Sequence, residues 1–302
     1  MIPRRLLFPV AVGSAAGIAA AWATRRARGA APARVVSVGG AVTESVYALG
    51  QGARLVAADS TSLYPAPAAA LPRIGYMRAL LTEGLIALAP DLVLLSDQAG
   101  PPQAVAMLRA AGLPLAVVPD GAGPGAAEGK VRAVAAALDV DGEALAAAVA
   151  ADWRALDAPV AALAEPWPRA VFVLSLARGA PLVSGRGTHA DAMLHTAGAE
   201  NAVAAFDGYR PLSSDAAAVL APDAVVMVEH ALAEAGGAAA AFAAPALTVT
   251  PAAAAGRMVA LEGSYALNFG PRAAHVRRDL ARLLHPGAAF PDLPERPWTA
   301  PG

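Results

Sequence analysis

Few residues in this 302-residue chain have the type and spacing to do chemistry. His189, Asp191 and His195 lie near one another, but imidazoles six positions apart do not share a helical face as i, i+4 pairs do, so no zinc site follows. Serine, histidine and acidic residues form no recognisable triad motif, and Gly39-Gly40 lacks the dinucleotide fingerprint. That Gly-Gly turn is the one handle for an enzyme reading, an α/β hydrolase or nucleotide-dependent enzyme holding an anion there, and a lone Gly-Gly supports it weakly. Gly75-Tyr76-Met77-Arg78 sets a phenol two residues from a guanidinium. By residue type alone Tyr76 reads as a turn tyrosine, ring on the core and hydroxyl in water.

Composition narrows the class. A chain that is 57% hydrophobic and 16% charged buries a sizeable core, so disorder is not its main state. A net charge of -1 argues against nucleic-acid partners, which are held by excess Lys and Arg. With no cysteine there is no disulfide framework, thiolate metal site or lipid-modified cysteine. Arg4 and Arg5 precede an apolar, Ala/Gly-rich run over 6–22, the charged and hydrophobic parts of an export signal. Cleavage after Ala23 and cleavage after Ala33 both fit, and an uncleaved anchor flanked by Arg25, Arg26 and Arg28 is the alternative.

The elements that must position any site follow from periodicity. Short, continuously apolar runs over 34–38, 55–58, 91–95, 115–118 and 170–174 read as buried strands, with helices between them over 81–88 and 103–111. Thr43-Glu44 reads as a capping pattern for the helix that Gly50 ends. This alternation implies a parallel sheet covered on both faces. An Ala-rich helical stretch over 126–165, broken near Asp139-Val140-Asp141-Gly142, bridges to a second strand-helix series.

An internal repeat relates the two series. Residues 83–94 run from Glu83 through a helix to Ala89-Pro90-Asp91 and a buried strand, and residues 215–226 do the same from Asp215 through Ala221-Pro222-Asp223. The helix must stop before the proline, and the Asp can hydrogen-bond locally in the turn. The expected fold is α/β, with two Rossmann-like lobes joined by a long helical spine and a ligand cleft between them. The expected organisation is an export signal over 1–33, a first lobe over 34–124, an interlobe helix over 125–166, a second lobe over 167–286 and a Pro-rich tail over 287–302.

On Val38-Gly39-Gly40-Ala41-Val42-Thr43-Glu44, Asp59-Ser60-Thr61-Ser62-Leu63-Tyr64-Pro65, residues 71–80 and 83–95, and Gly270-Pro271-Arg272, the chain resembles the periplasmic haem-binding proteins of bacterial haem-uptake ABC transporters. The Leu-Pro-x-x-Gly-Tyr-Met-Arg segment is the most specific part, because related binders of cobalamin and ferric siderophores share the block over 83–95 but not that tyrosine context.

The resemblance implies that the Tyr76 phenolate is an axial ligand to ferric haem, tyrosinate being a known haem ligand type. A phenol with a pKa near 10 needs help to ionise, which ferric iron and a nearby cation provide. It implies for Arg78 a contact with a haem propionate or with the tyrosinate, either of which a guanidinium suits. Tyr64 is the competing ligand, or else a loop tyrosine walling the cleft. Where some relatives place an Arg before a Gly-Leu-Glu-x-x-Gly-Gly stretch, this chain has His230, either opposing Tyr76 or starting a helix in solvent. Where some relatives carry a His that binds a second haem, this chain reads Leu174-Ser175-Leu176-Ala177-Arg178, which argues against a second His-ligated haem. Glu83 and Asp215 match the acids that dock each lobe on a permease subunit; the alternative is that each carboxylate merely favours a helix N-terminus. His275, among Arg272, Arg277 and Arg278, reads as the solvated face of a terminal helix. The implied protein is a periplasmic monomer that hands haem to an ABC permease dimer and is not an enzyme, with a corrinoid or ferric siderophore as the alternative ligand.

Overall fold

The computed structural model describes residues 31–176 and 180–299, so positions 1–30 of the expected export signal, Ala177 and Arg178 of the departing motif and positions 300–302 of the expected tail lie outside the described residues. β1 (Val35–Val38) is buried at every position, as a central strand covered on both faces requires. It lies between β2 (Leu55–Ala58) and β5 (Leu92–Ser96), with β6 (Leu115–Val118) beyond β5, all parallel. β3 (Gly75–Tyr76) and β4 (Ala79–Leu80) form a separate antiparallel hairpin.

The second sheet contains β7 (Arg169–Ser175), β8 (Leu182–Ser184), β10 (Tyr209–Pro211), β11 (Ala224–Val228) and β12 (Met258–Leu261) in the order β10-β8-β7-β11-β12, with β9 (Glu200–Asn201) beside β7. β7, β11 and β12 are parallel, the first two as their apolar runs predict, whereas β8 and β10 add on antiparallel. An edge strand such as β10 is not buried on both faces, so Tyr209-Arg210-Pro211 carries no apolar signature.

Between the sheets run helices Ala126–Leu138, Glu143–Arg154 and Asp157–Ala161. The first ends where Asp139 turns left-handed at φ 56°, and the second starts at Glu143. The first packs on helix Gly40–Ala48 of one lobe, the second on helix Ala273–Leu284 of the other, so the spine holds both. Among the described residues no helix is long and apolar enough to cross a membrane.

The repeat extends to atomic detail. Ala89 and Ala221 both adopt φ 43°, stopping their helices before the prolines. The following aspartates reach beyond the turn. Asp91 Oδ2 accepts from the amides of Ala33 (3.0 Å) and Arg34 (2.8 Å), and Asp223 Oδ2 from that of Arg169 (2.8 Å), each tying its turn to the first strand of its lobe. Arg34 and Arg169, opening those strands, donate back to the carbonyls of Leu88 and Leu220 at the helix ends.

Two local readings are corrected. Thr43 and Glu44 do not cap the first helix, which starts at Gly40 behind Gly39 at φ 111° and buries both residues. Thr43 shares hydroxyl hydrogen bonds with Ser37 (2.7 Å) and Ser62 (2.6 Å). Nor is the His275 face of the terminal helix solvated: His275 and Arg277 are buried, and Arg277 donates to the carbonyls of Thr196 (2.7 Å) and Trp153 (2.9 Å) and to Asp157 (2.7 Å). Helical charge periodicity cannot distinguish a face turned to water from one turned to carbonyls of a neighbouring helix.

Burial, with Arg278 adding to it, pushes the His275 pKa down. The fold therefore holds a neutral imidazole, while the unfolded chain takes up a proton near pH 6.5. Stability from this group is complete above about pH 6.5 and falls as the medium becomes more acidic than that. Thermal unfolding measured from pH 8 to pH 5 is expected to show a smaller acid loss in His275→Gln than in wild type; parallel curves would exclude the linkage.

Candidate functional site

The strand ends of the first lobe are stapled by one carboxylate. Asp59, buried behind β2, accepts from the amide of Gly39 (2.8 Å), from the amide and hydroxyl of Thr61 (2.9 and 2.6 Å) and from the Ser62 hydroxyl (2.8 Å). The β3-β4 hairpin sits on this platform. Gly75, at φ 93°, lies so close to β4 that a Cβ there would meet the Ala79 carbonyl at 2.6 Å, so no other residue fits the turn without displacement. Gly100 clamps the hairpin from beside, its amide donating to Met77 (2.9 Å) and its carbonyl accepting from Leu80 (3.2 Å). Met77 turns inward, its sulfur 3.6 Å from where a Cβ on Gly39 would stand. Tyr76 and Arg78, flanking it, turn outward, and Tyr76 is 49% exposed. Tyr76 thus stands on a hairpin strand and not in a free loop.

The second lobe answers with a residue that sequence reasoning missed. Tyr209, on β10 opposite Ser184 of β8, is partly buried. Burial raises its pKa, opposed by hydrogen bonding from the Thr188 hydroxyl, the positive charge of Arg78 and the Ser184 hydroxyl, and reinforced by Tyr76. Arg78 and Tyr76 belong to the first lobe, so the charge felt at Tyr209 comes partly from that lobe's hairpin. A signal was available: Gly208-Tyr209-Arg210-Pro211-Leu212-Ser213-Ser214-Asp215 matches residues 75–83 with one residue fewer, extending the repeat upstream of Glu83 and Asp215.

Below the cleft the lobes are bolted together by charge. Glu44 takes a two-pronged contact from Arg272 (2.7 and 3.1 Å) and a third hydrogen bond from Asn268 (3.0 Å). Lys130, 1% exposed, pairs with Asp120 (3.0 Å) and donates to the carbonyls of Gly121 (2.7 Å), Asn268 (3.2 Å) and Phe269 (3.3 Å). Burial lowers the lysine pKa and Asp120 raises it. His189 bridges the same junction, its ring nitrogens meeting the carbonyls of Leu267 (2.6 Å) and Asp120 (2.9 Å). Among the described residues no group of His, Asp and Glu is arranged to hold a metal ion.

The other sequence-predicted residues separate. Tyr64 lies with its ring 3.5 Å from the Arg272 guanidinium carbon, and its hydroxyl donates to the Trp298 carbonyl (3.1 Å), so it ties the C-terminal tail to the lobe junction. His230 is exposed at the start of the helix after β11, its ring beside Gly263. Glu83 and Asp215 are both exposed in the first turns of helices Thr82–Ala87 and Ser214–Leu220.

A family model described as periplasmic binding protein matches residues 35–265. Among solved structures, the chain is similar to the periplasmic haem-binding protein BhuT in complex with two haems, at 42% identity and TM-score 0.79, covering 83% of this chain and 97% of that one. It is similar to the periplasmic haem-binding protein RhuT of Roseiflexus sp. RS-1 at 36% identity and TM-score 0.79, covering 84% and 98%. For the periplasmic haem-binding protein HutB of Vibrio cholerae the values are 32%, 0.72, 84% and 99%. Among curated proteins, the vitamin B12-binding protein of Yersinia pestis (strain Pestoides F) is 35% identical over 82 residues, which are 27% of this chain and only 29% of that protein's length.

Proposed function

Because the chain belongs to the periplasmic binding protein family, we propose that it binds ferric haem in the cleft between its lobes and carries it to the permease of an ABC importer. The observation that carries this reading is the exposed pair Tyr76 and Arg78 on a hairpin braced from beneath by Gly100 and the Asp59 platform. The donor set fits the cargo: a phenol oxygen for the iron and a guanidinium for an anionic oxygen. Tyr76 loses its proton on binding, and Arg78 stabilises the negative charge left in the cleft. The protein is a carrier and not a catalyst, and it works in the periplasm after export by its N-terminal signal.

Adding hemin to the apoprotein and recording the visible spectrum tests the reading, with a tyrosinate-ligated ferric spectrum expected. A spectrum identical to free hemin would refute it. The 82-residue likeness to a vitamin B12-binding protein supports a corrinoid as the second reading. Cyanocobalamin at equal concentration is expected not to displace hemin, and displacement would favour the corrinoid.

Glu83 and Asp215 dock the two lobes on the two permease subunits. Both sit at repeat-equivalent exposed positions, which a two-fold partner would engage symmetrically. The double variant Glu83→Ala/Asp215→Ala is expected to bind hemin as wild type does while haem-dependent growth falls. Normal uptake by cells carrying only this variant would remove the docking role.

A further inference from the structure

We infer that the segment over 287–299 is an interlobe strap, rooted on the second lobe and the spine and fastened to the first lobe at Tyr64, which restrains opening of the cleft and slows ligand escape. The restraint is independent of the cargo, while its effect on release rests on the haem reading. The sequence supplies the first ground. Pro286, Pro291, Pro294 and Pro297 lack an amide proton for ladder hydrogen bonds, and no helix or strand forms over 285–296. A stretch of this composition is expected to trail in water, yet Phe290 and Leu293 are buried and Arg296 also turns in, while 291, 292, 294 and 295 are exposed. A period of three is the repeat of an extended proline-rich chain, so one face of the strap lies on the protein. The prolines have little backbone freedom left to lose, which lowers the entropic cost of holding the segment down.

The second ground is where the segment is fastened. Arg282, on the second-lobe helix Ala273–Leu284, donates to the Phe290 carbonyl (2.8 Å) and to Asp292 (2.9 Å). Arg296 then makes a two-pronged contact (2.7 and 3.1 Å) with the buried carboxylate of Asp152 on the spine helix Glu143–Arg154. Two residues on, the Trp298 carbonyl accepts from the Tyr64 hydroxyl of the first lobe (3.1 Å), while the Trp298 side chain packs against the core shared by the second lobe and the spine. The strap therefore visits all three bodies in chain order. Its first-lobe fastening is also close to the ligand hairpin. Tyr64 belongs to the loop that Asp59 opens, and Arg73 ties that loop to the lead-in of β3 by donating to the carbonyls of Asp59 (2.7 Å) and Ser62 (3.0 Å). The Ser60 amide donates to the Gly75 carbonyl (2.8 Å), one residue before Tyr76.

A swing of the first lobe about the spine parts Tyr64 from Trp298 and leaves the other two fastenings intact. The contact thus favours one interlobe angle, and removing it shifts the balance toward open forms by its net worth, about fivefold for one ordinary hydrogen bond. A chain ending at Arg296 isolates this fastening, since it lacks Trp298 but keeps Phe290, Leu293 and the Arg296 to Asp152 pair. With no cysteine in the chain, Gln103→Cys and Ala239→Cys place one spin label on an exposed helix position of each lobe.

Double electron-electron resonance on the apoprotein is expected to give a broader interlobe distance distribution in the shortened chain than in the full one. Hemin transfer to an apoprotein acceptor is expected to run about fivefold faster, with the bound spectrum unchanged. Tyr64→Phe keeps the whole segment and removes only the fastening hydroxyl, so it is expected to move both readings the same way, and it decides the matter if the shortened chain does not fold. An unaltered distance distribution overturns the strap. Broader distances with an unaltered release rate overturn its control of release, and neither result touches the haem reading. If wild type leaves the hemin spectrum unaltered, the haem reading and the release effect both fall, and the distances alone judge the restraint.

Discussion

Tyr76→Phe is expected to abolish the tyrosinate-ligated hemin spectrum and weaken hemin binding by more than about 100-fold. Groups that merely support a metal ligand are worth 10–100-fold, and this substitution removes the ligating oxygen itself. It is also a clean change. The ring stays, the backbone of the hairpin is untouched, and the phenol is 49% exposed, so the folded protein loses little else. Thermal unfolding is expected to match wild type, which separates a lost ligand from a lost fold. A hemin titration with unchanged affinity and spectrum would remove Tyr76 from the iron. Tyr64→Phe serves as the contrast: that hydroxyl is engaged with the Trp298 carbonyl, so its removal is expected to act on tail docking and not on the spectrum.

Arg272→Met is expected to be the most destabilising substitution at the lobe junction. Glu44 is 3% exposed and Arg272 12% exposed, so removing the guanidinium strands a buried carboxylate with Asn268 as its remaining side-chain donor. Breaking a buried pair from one side costs about 3–5 kcal/mol, far above the ~0–1 kcal/mol of a surface pair. For a chain of this size that corresponds to a melting temperature lower by roughly 5–8 °C. The mirror substitution, Glu44→Gln, is expected to cost less. Arg272 would keep its stacking on Tyr64 (3.5 Å) and Tyr265 (5.0 Å). Glu44→Gln/Arg272→Met together should recover part of the single loss, because no unpaired charge then stays buried. A melting temperature for Arg272→Met equal to wild type would show that the junction does not depend on the pair. Hemin affinity measured on the same variant tells whether the junction also sets the cleft, since Gly40 and Asn268 approach so closely there that a Cβ on Gly40 would lie 2.3 Å from the amide nitrogen.

The candidate site was legible in part. Gly75-Tyr76-Met77-Arg78 stood out because a motif carried it, and the hairpin explains its alternation: Met77 turns in while its neighbours turn out. Tyr209 went unnoticed because its segment has one residue fewer than its first-lobe counterpart, and because a Tyr-Arg-Pro edge strand has no apolar periodicity. Spacing alone makes Glu44 a capping residue, whereas its partner is Arg272, 228 positions away.

What the sequence determined by itself were features whose causes are local. Short apolar runs make strands, Pro90 and Pro222 stop the helices that precede them, and the polar break at 139–142 divides the spine, each within a few residues of its own cause, whereas how deeply a strand is buried is not local: Val117 of the edge strand β6 is 51% exposed. Tertiary structure alone decided which polar groups are buried and with whom. His275 against a neighbouring helix, Lys130 beneath both lobes and Glu44 against Arg272 owe their surroundings to chain segments far away in sequence. Desolvation and charge pairing act through space, so neither can be read from spacing along the chain.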